Sequence, residues 1–533
     1  MDQPPKRRVA SGQEEEESPQ PSSDRSPALR SLSHPISPPR KRARLAPEAG
    51  GQAGFSPSPN PQIIRSPVQL TRIRDLPPEA NVDTVTLKDI LGDPLIAECW
   101  EFNFLHDVDF LMGAFDEDVR HLVKVHIVHG FWKREDPSRA MLIEQASNYK
   151  NVELHTAFMP EMFGTHHSKM MVLLRHDDTA QVVIHTANMI PRDWRNLTQG
   201  MWRSPLLPLE TGGTEKPQAT SPFGSGEKFK IDLLNYLRAY DVRRPTCRSL
   251  VDQLKKHDFS AIKAALVASV PGKHSTRDDS PTRWGWAAVK QCLRSVPVQG
   301  GRSEIVVQVS SIATLGPTDN WVKKTMFGAL SAGKGLPATQ PTFKAVFPTA
   351  DEIRRSLDGY ESGGSIHTKI DSPQQVKQLA YLKPMFHHWA NDAPEGGNLK
   401  RDVLLQEAGR KRAAPHIKTY VRYGEKGIDW ALLTSANLSK QAWGDNENTG
   451  SGEVRIASWE IGVLVWPSLF ADGARMIPTF QTDIPSADDE PGSAPIVGFR
   501  LPYNLPLQPY GANEKPWVAT ASYAEPDWKG QTW

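Results

Sequence analysis

Cysteine is scarce in this chain. Its 533 residues hold three, Cys99, Cys247 and Cys292, scattered too widely to form a cluster. That excludes a disulfide framework and a structural zinc site built on thiolates, and it fits a reducing compartment. Long apolar runs are lacking too: nothing approaches the roughly 20 residues a membrane span requires. The N-terminus is polar from its first residue, so no secretory leader is expected. Neither sign of charge dominates. Against 63 Lys and Arg stand 61 Asp and Glu, a formal net charge of +2. Any contact with nucleic acid must therefore come from basic groups that the fold gathers. No motif has metal-ligand spacing. The adjacent His166 and His167 stand without a Cys or carboxylate pattern to join them, so no metal and no cofactor are expected.

What is present begins with length. A chain of 533 residues exceeds one hydrophobic core and calls for two domains plus a tail. Residues 1–65 hold 12 of the 45 prolines, the acidic run Glu14 to Glu17 and almost no large apolar side chain. Such a segment is expected to be disordered. Its basic clusters, Lys6-Arg7-Arg8 and Arg40 to Arg44, suggest nuclear import. Ser-Pro pairs at Ser18, Ser26, Ser37, Ser56, Ser58 and Ser66 are candidates for phosphorylation. Beyond the tail, 170–174, 181–184, 264–270, 304–309, 417–422, 430–433 and 462–466 read as strands. Ile231, Leu234, Leu237 and Tyr240 follow helical spacing, and 203–227 reads as a long surface loop. Strands alternating with helices imply an α/β layered fold. A Pro-Gly turn at Gly272 is the expected division, giving domains at 66–272 and 273–533.

One pattern occurs twice. His167, Lys169, Asn188 and Trp194 recur as His416, Lys418, Asn437 and Trp443, each shifted by 249 residues. A register kept this closely implies two homologous halves meeting at one site. A single His-x-Lys carries almost no information; two registered copies with their asparagines do. Two positions apart in an extended chain, His and Lys face the same side. Two His, two Lys and two Asn around one centre suit a phosphodiester. Lys169, Lys418, Asn188 and Asn437 would hold its non-bridging oxygens and neutralise the charge gained in the transition state. One histidine would attack phosphorus and the other would protonate the leaving oxygen, then accept a proton from water. With lysines supplying positive charge, no metal is needed.

The run Gly164 to Met171 (Gly-Thr-His-His-Ser-Lys-Met-Met), the run Pro415 to Tyr420 and the run Leu433 to Gly444 resemble the tyrosyl-DNA phosphodiesterases, a branch of the phospholipase D superfamily. The wider superfamily pattern adds an Asp five residues after each Lys. Here those positions are Leu174 and Tyr423, and the narrower branch also lacks the aspartates. Segments at 102–109, 198–202, 310–316, 459–462 and 515–517 look like the same family, so the resemblance covers about residues 66–533. It implies two similar α-β-α layered domains related by a pseudo-twofold axis. It further implies His167 as nucleophile, His416 as general acid and then base, and Gln199 and Glu460 as orienting groups, without saying which serves which histidine. Phe163 would stack on a base or line the DNA side, and Ser311, Thr314 and Ser435 would contact phosphates. Position 104 is Phe where the family pattern implies Tyr. The implied reaction removes a tyrosyl peptide, left by topoisomerase I, or another adduct from a DNA 3′ end. The implied partner is DNA, single- or double-stranded, with no membrane, and the protein would be a nuclear monomer. A phospholipase D acting on lipid, or a non-catalytic DNA-binding scaffold, are the competing readings.

Overall fold

The computed structural model describes residues 62–211, 221–335, 339–390, 405–486 and 494–533. The tail expectations therefore lie outside the described residues up to residue 61. Ser66 lies inside them. It is buried, and its Oγ donates to the carbonyl of Val68 at 2.6 Å, which removes it from the accessible Ser-Pro sites.

Two sheets carry the fold. The first contains β2 (Val68–Leu70), β3 (Ile96–Phe102), β4 (Lys124–His129), β5 (Val152–Thr156), β6 (Met170–Arg175), β7 (Ala180–His185) and β8 (Gly200–Arg203), in the order β2-β8-β7-β6-β3-β4-β5. The second contains β9 (Ala265–Ser269), β11 (Glu304–Gln308), β12 (Thr342–Val346), β13 (Phe386–His387), β14 (Thr419–Gly424), β15 (Gly427–Thr434) and β17 (Glu460–Val465), running β9-β17-β15-β14-β11-β12-β13. In both, three neighbouring strands are parallel and the other four pair antiparallel. The two seven-strand patterns superpose strand for strand. The second sheet adds β18 (Arg475–Thr479), β19 (Ile496–Arg500) and the edge strand β1 (Ile63–Ile64), while β10 (Gly272–Ser275) and β16 (Glu453–Ile456) form a separate ribbon. The second copy of the pattern thus opens with β9, before Gly272. The Pro-Gly turn at 271–272 lies inside that copy, because it leads from β9 into the ribbon.

Alternation along the strands explains the layers. Met170, Val172, Val182 and Ile184 from the first sheet share one core with Ile417, Ala431, Leu433, Ile461 and Val463 from the second. Met171, Leu173 and Val183 face the opposite way, under helices Val108–Ala114 and Pro137–Ser147. Trp430, Leu432 and Leu464 do the same under helix Gly285–Leu293. The sheets approach closely at Gly200, where a Cβ would lie 2.5 Å from Ile417 and 2.8 Å from Leu433. Truncating Leu433 in this shared core would cost about 3 kcal/mol. The expected helix around Ile231 is Gly226–Ala239, N-capped by the Ser225 side chain.

Candidate active site

Both His-x-Lys segments are extended stretches that lead into strands, His167 to Lys169 ahead of β6 and His416 to Lys418 ahead of β14. Each lies alongside a segment of the other half. The amide of His167 donates to the carbonyl of Trp459 at 3.0 Å, and the amide of His416 donates to the carbonyl of Thr198 at 3.0 Å. The next residue in each acceptor segment supplies the histidine's side-chain partner. Glu460 Oε2 stands 2.9 Å from His167 Nδ1. The Gln199 amide places Nε2 at 3.0 Å and Oε1 at 3.1 Å from His416 Nδ1. So Glu460 serves His167 and Gln199 serves His416, each across the pseudo-twofold axis.

Those partners are themselves held by matched hydroxyls. Thr186 Oγ1 donates to Gln199 Oε1 at 2.8 Å and accepts from the Gly200 amide at 3.0 Å. Ser435 Oγ donates to Glu460 Oε2 at 2.5 Å and accepts from the Ile461 amide at 3.0 Å. Thr186 and Ser435 are 249 residues apart, the same offset as the histidines. Ser435 is wholly buried, and its hydroxyl hydrogen goes to the Glu460 carboxylate.

Lys169 and Lys418 are fully buried, each bending its Nζ to the carbonyl of its own histidine. Burial pushes Lys169 down to about 8, with Glu460 and Asp193 opposing the shift. Burial and the charge of Lys169 push Lys418 well down. Burial lowers His167 to about 4 against the pull of Glu460. His416 falls well below its ordinary range, through burial first and then through the positive charges of Lys418, Lys169 and His167. Each histidine thus feels the charge of both lysines.

The asparagines are tied down differently. Asn188 donates from its backbone and from Nδ2 to Asp193 Oδ2, at 2.7 and 2.9 Å, which leaves one Nδ2 hydrogen to offer. Asn437 accepts through Oδ1 from the amides of Ser310 and Ser311, at 3.1 and 2.9 Å. Its Nδ2 is thereby turned away from the loop. Ser311 is half-buried beside that contact, Thr314 is exposed, and Phe163 is 81 % exposed. The Phe104 ring lies 5.7 Å from that of His167. His166 joins no site: Nδ1 meets the Asn103 carbonyl at 2.8 Å and Nε2 meets the Tyr240 hydroxyl at 2.9 Å.

Asp193 was not found from the sequence. Wholly buried, it binds Asn188, lies 3.3 Å from His416 Nδ1 and 3.4 Å from Gln199 Nε2, and receives Ser365 Oγ. Its counterpart 249 residues on is Ala442, so a search for repeated residues passes over it. Also unforeseen is a cationic cavity of about 590 Å³ lined by Trp132, Arg134, Arg139, Arg243 and Arg244. The chain from Thr156 to Pro160 forms part of its wall and runs on to Phe163 and His167.

A family profile described as tyrosyl-DNA phosphodiesterase matches residues 67–511. The probable tyrosyl-DNA phosphodiesterase of Schizosaccharomyces pombe is 32% identical over 89% of this chain and 96% of its own length. Tyrosyl-DNA phosphodiesterase 1 of Arabidopsis thaliana is 29% identical over 89% of this chain and 78% of its own. The crystal structure of the yeast tyrosyl-DNA phosphodiesterase has the same fold, with a TM-score of 0.59 at 21% identity over 85% of this chain and 98% of that one. The chain belongs to the tyrosyl-DNA phosphodiesterase family, hydrolases of the phospholipase D superfamily.

Proposed function

We propose that this enzyme cleaves the 3′-phosphotyrosyl bond between DNA and a topoisomerase I-derived peptide through a phosphohistidine, without a metal. The observation that carries the reading is the difference between the two histidine partners. A carboxylate only accepts, so Glu460 pins the proton of His167 on Nδ1 and leaves the Nε2 lone pair free. An amide both donates and accepts, so Gln199 accompanies His416 with or without a proton on Nδ1. The first suits a nucleophile and the second a group that alternates between acid and base.

The steps follow. His167 Nε2 attacks phosphorus, the P–O bond to tyrosine breaks, and the phenolic oxygen takes a proton from His416. Water then gives a proton to His416 as its oxygen attacks phosphorus. The P–N bond breaks, releasing a 3′-phosphate and restoring His167. Lys169, Lys418 and the Nδ2 groups of Asn188 and Asn437 face the non-bridging oxygens. An anionic phosphodiester between the lysines offsets their effect on His416 and favours its protonated form before attack.

The arginine-lined cavity, whose wall ends at Pro160, three residues before the exposed Phe163, supports a DNA strand running away from the cleaved end, its phosphates met by guanidinium groups and a base stacked on Phe163. Ser311 and Thr314 extend phosphate contacts on the second half. Other 3′-blocking groups fit the same chemistry, because only the leaving oxygen changes. A monomer suffices, since both histidines lie in one chain. The basic clusters of residues 1–61 point to the nucleus; a fluorescent fusion lacking them should leave it. Turnover of a 3′-phosphotyrosyl oligonucleotide in EDTA is the direct test. Full activity is expected, and activity restored only by Mg²⁺ would remove the metal-independent route. Cleavage of phosphatidylcholine but not of the oligonucleotide would favour the lipid reading.

A further inference from the structure

A second group of chemically competent side chains lies on the first sheet. β3, β4 and β5 are neighbours in parallel register, with Trp100 opposite His126 and His126 opposite Glu153. His155 follows Glu153 by two residues and so shares its face. His126 Nδ1 and His155 Nε2 are 2.9 Å apart, and Glu153 Oε2 is 3.3 Å from the first and 3.9 Å from the second. Three atoms with those separations lie on a circle about 2.0 Å in radius, the bond length of late transition metals to imidazole nitrogen and carboxylate oxygen.

The surroundings are those of a ligand set. His126 is buried and turns its other nitrogen, Nε2, to Glu98 Oε1 at 3.5 Å. A carboxylate behind the second ring nitrogen is the usual support for a metal-bound histidine. Glu98 is fixed in turn by Trp100 Nε1 at 2.6 Å and Gln253 Nε2 at 3.2 Å. The Trp100 ring stacks on His126 at 3.9 Å and on His155 at 5.3 Å, closing the inner side. Glu153 is 53% exposed and His155 is 23% exposed in their side chains, leaving the outer side open to solvent. Cysteine is absent from the set, and two imidazoles with one carboxylate suit Zn²⁺ or Cu²⁺ and not Mg²⁺ or Ca²⁺.

We propose that His126, His155 and Glu153 bind one divalent late transition-metal ion at the outer strands of the first sheet, apart from the catalytic machinery. Affinity tags would compete, so the tag-free full chain is stripped with EDTA, desalted and titrated with ZnCl₂, CuCl₂ or MgCl₂. Calorimetry should give one equivalent of Zn²⁺ or Cu²⁺ and no saturable Mg²⁺ binding. Cu²⁺ should quench tryptophan fluorescence over the same equivalent, because Trp100 stacks on a ligand ring. His155→Ala and Glu153→Gln change rim side chains; each should weaken binding about 10- to 100-fold and abolish the rise in Tm that Zn²⁺ gives the parent. Turnover of the stripped His155→Ala protein should stay within about twofold of the parent, showing that it is folded. Equimolar binding unchanged in a folded His155→Ala variant would place the ion elsewhere and overturn the proposal, as would no saturable binding of either metal by the parent.

Discussion

The two halves of the site share a backbone and differ in the group that orients each histidine. Thr186 and Ser435 occupy matched positions, each receiving the amide that follows an orienting residue and each donating to that residue's side chain. Where the first half ends this relay in an amide, Gln199, the second ends it in a carboxylate, Glu460. Each reaches across the axis to the other half's histidine. The scaffold is symmetric, whereas the proposed reaction is asymmetric, with one histidine bonded to phosphorus and the other moving protons. In that proposal the change from amide to carboxylate helps give two like histidines unlike duties.

The harshest way to break the comparison is to remove the histidines in turn. His167→Ala takes away the attacking nitrogen and should cost about 10⁴-fold or more in turnover, with no covalent intermediate. His416→Asn leaves the nucleophile in place. Tyrosine, with a phenol pKa of about 10, departs slowly without an acid, and water is then not activated. Turnover should fall about 10²- to 10⁴-fold, and an acid-labile, alkali-stable DNA–protein adduct should build up. Denaturing electrophoresis with labelled 3′-phosphotyrosyl DNA reads both. An adduct in the double variant would show that another residue attacks.

Exchanging the partners sharpens the comparison. Glu460→Gln no longer pins the His167 proton, so attack itself should slow, about 10²-fold or more, with no adduct. Gln199→Glu places a second carboxylate beside His416, together with Asp193, and keeps that ring protonated. It remains an acid but is a poor base, so the second step should slow about 10- to 100-fold and the adduct should accumulate. Equal adduct levels in the two variants, in a rapid-quench experiment, would sink the division of labour. Asp193→Ala, at the position that is Ala442 in the other half, strips partners from Asn188 and Gln199. It should cost about 2 kcal/mol in denaturant unfolding and about 10-fold in turnover. An effect on stability alone would make Asp193 a purely structural residue.

Much of this site was legible because duplication printed it twice. His167, Lys169 and Asn188 announce themselves through their copies, and the strands around them through unbroken apolar runs at Met170 and Leu432. Residues that make the halves different have no copy. Asp193 faces an alanine, and Glu460 follows Asn437 by 23 residues where Gln199 follows Asn188 by 11, so the offset does not connect them. Their pairing with the histidines is a contact between chain segments more than 200 residues apart, which spacing does not encode. β9 precedes Gly272 in the chain, and its pairing with β17 is decided by packing, which chain order does not encode. His126, Glu153 and His155 escaped because adjacent parallel strands, and not sequence neighbours, bring them together.

The smallest expected effect is a pH dependence that treats the two lysines and the nucleophile separately. Burial lowers His167 to about 4, so it is neutral, with its lone pair available, through the neutral range. It loses that pair only as pH falls through about 4. Lys169, lowered to about 8, is charged below that value and loses its charge as pH rises through it. The free enzyme should therefore show kcat/KM losing His167 on the acid side near 4 and losing Lys169 on the alkaline side near 8. An incoming phosphodiester is anionic and favours charged lysines, so it should draw protons into the site on binding. His167→Ala binds substrate without turning it over, which lets calorimetry in buffers of different ionisation heat count them. Near pH 6 the uptake should be that of His416, and between pH 8 and 9 it should grow by an increment that approaches one proton, from Lys169. Lys169→Met should remove the alkaline limb and most of this increment. If that variant kept both, the limb would belong to Lys418, and charge would be distributed between the halves in the reverse of the order proposed.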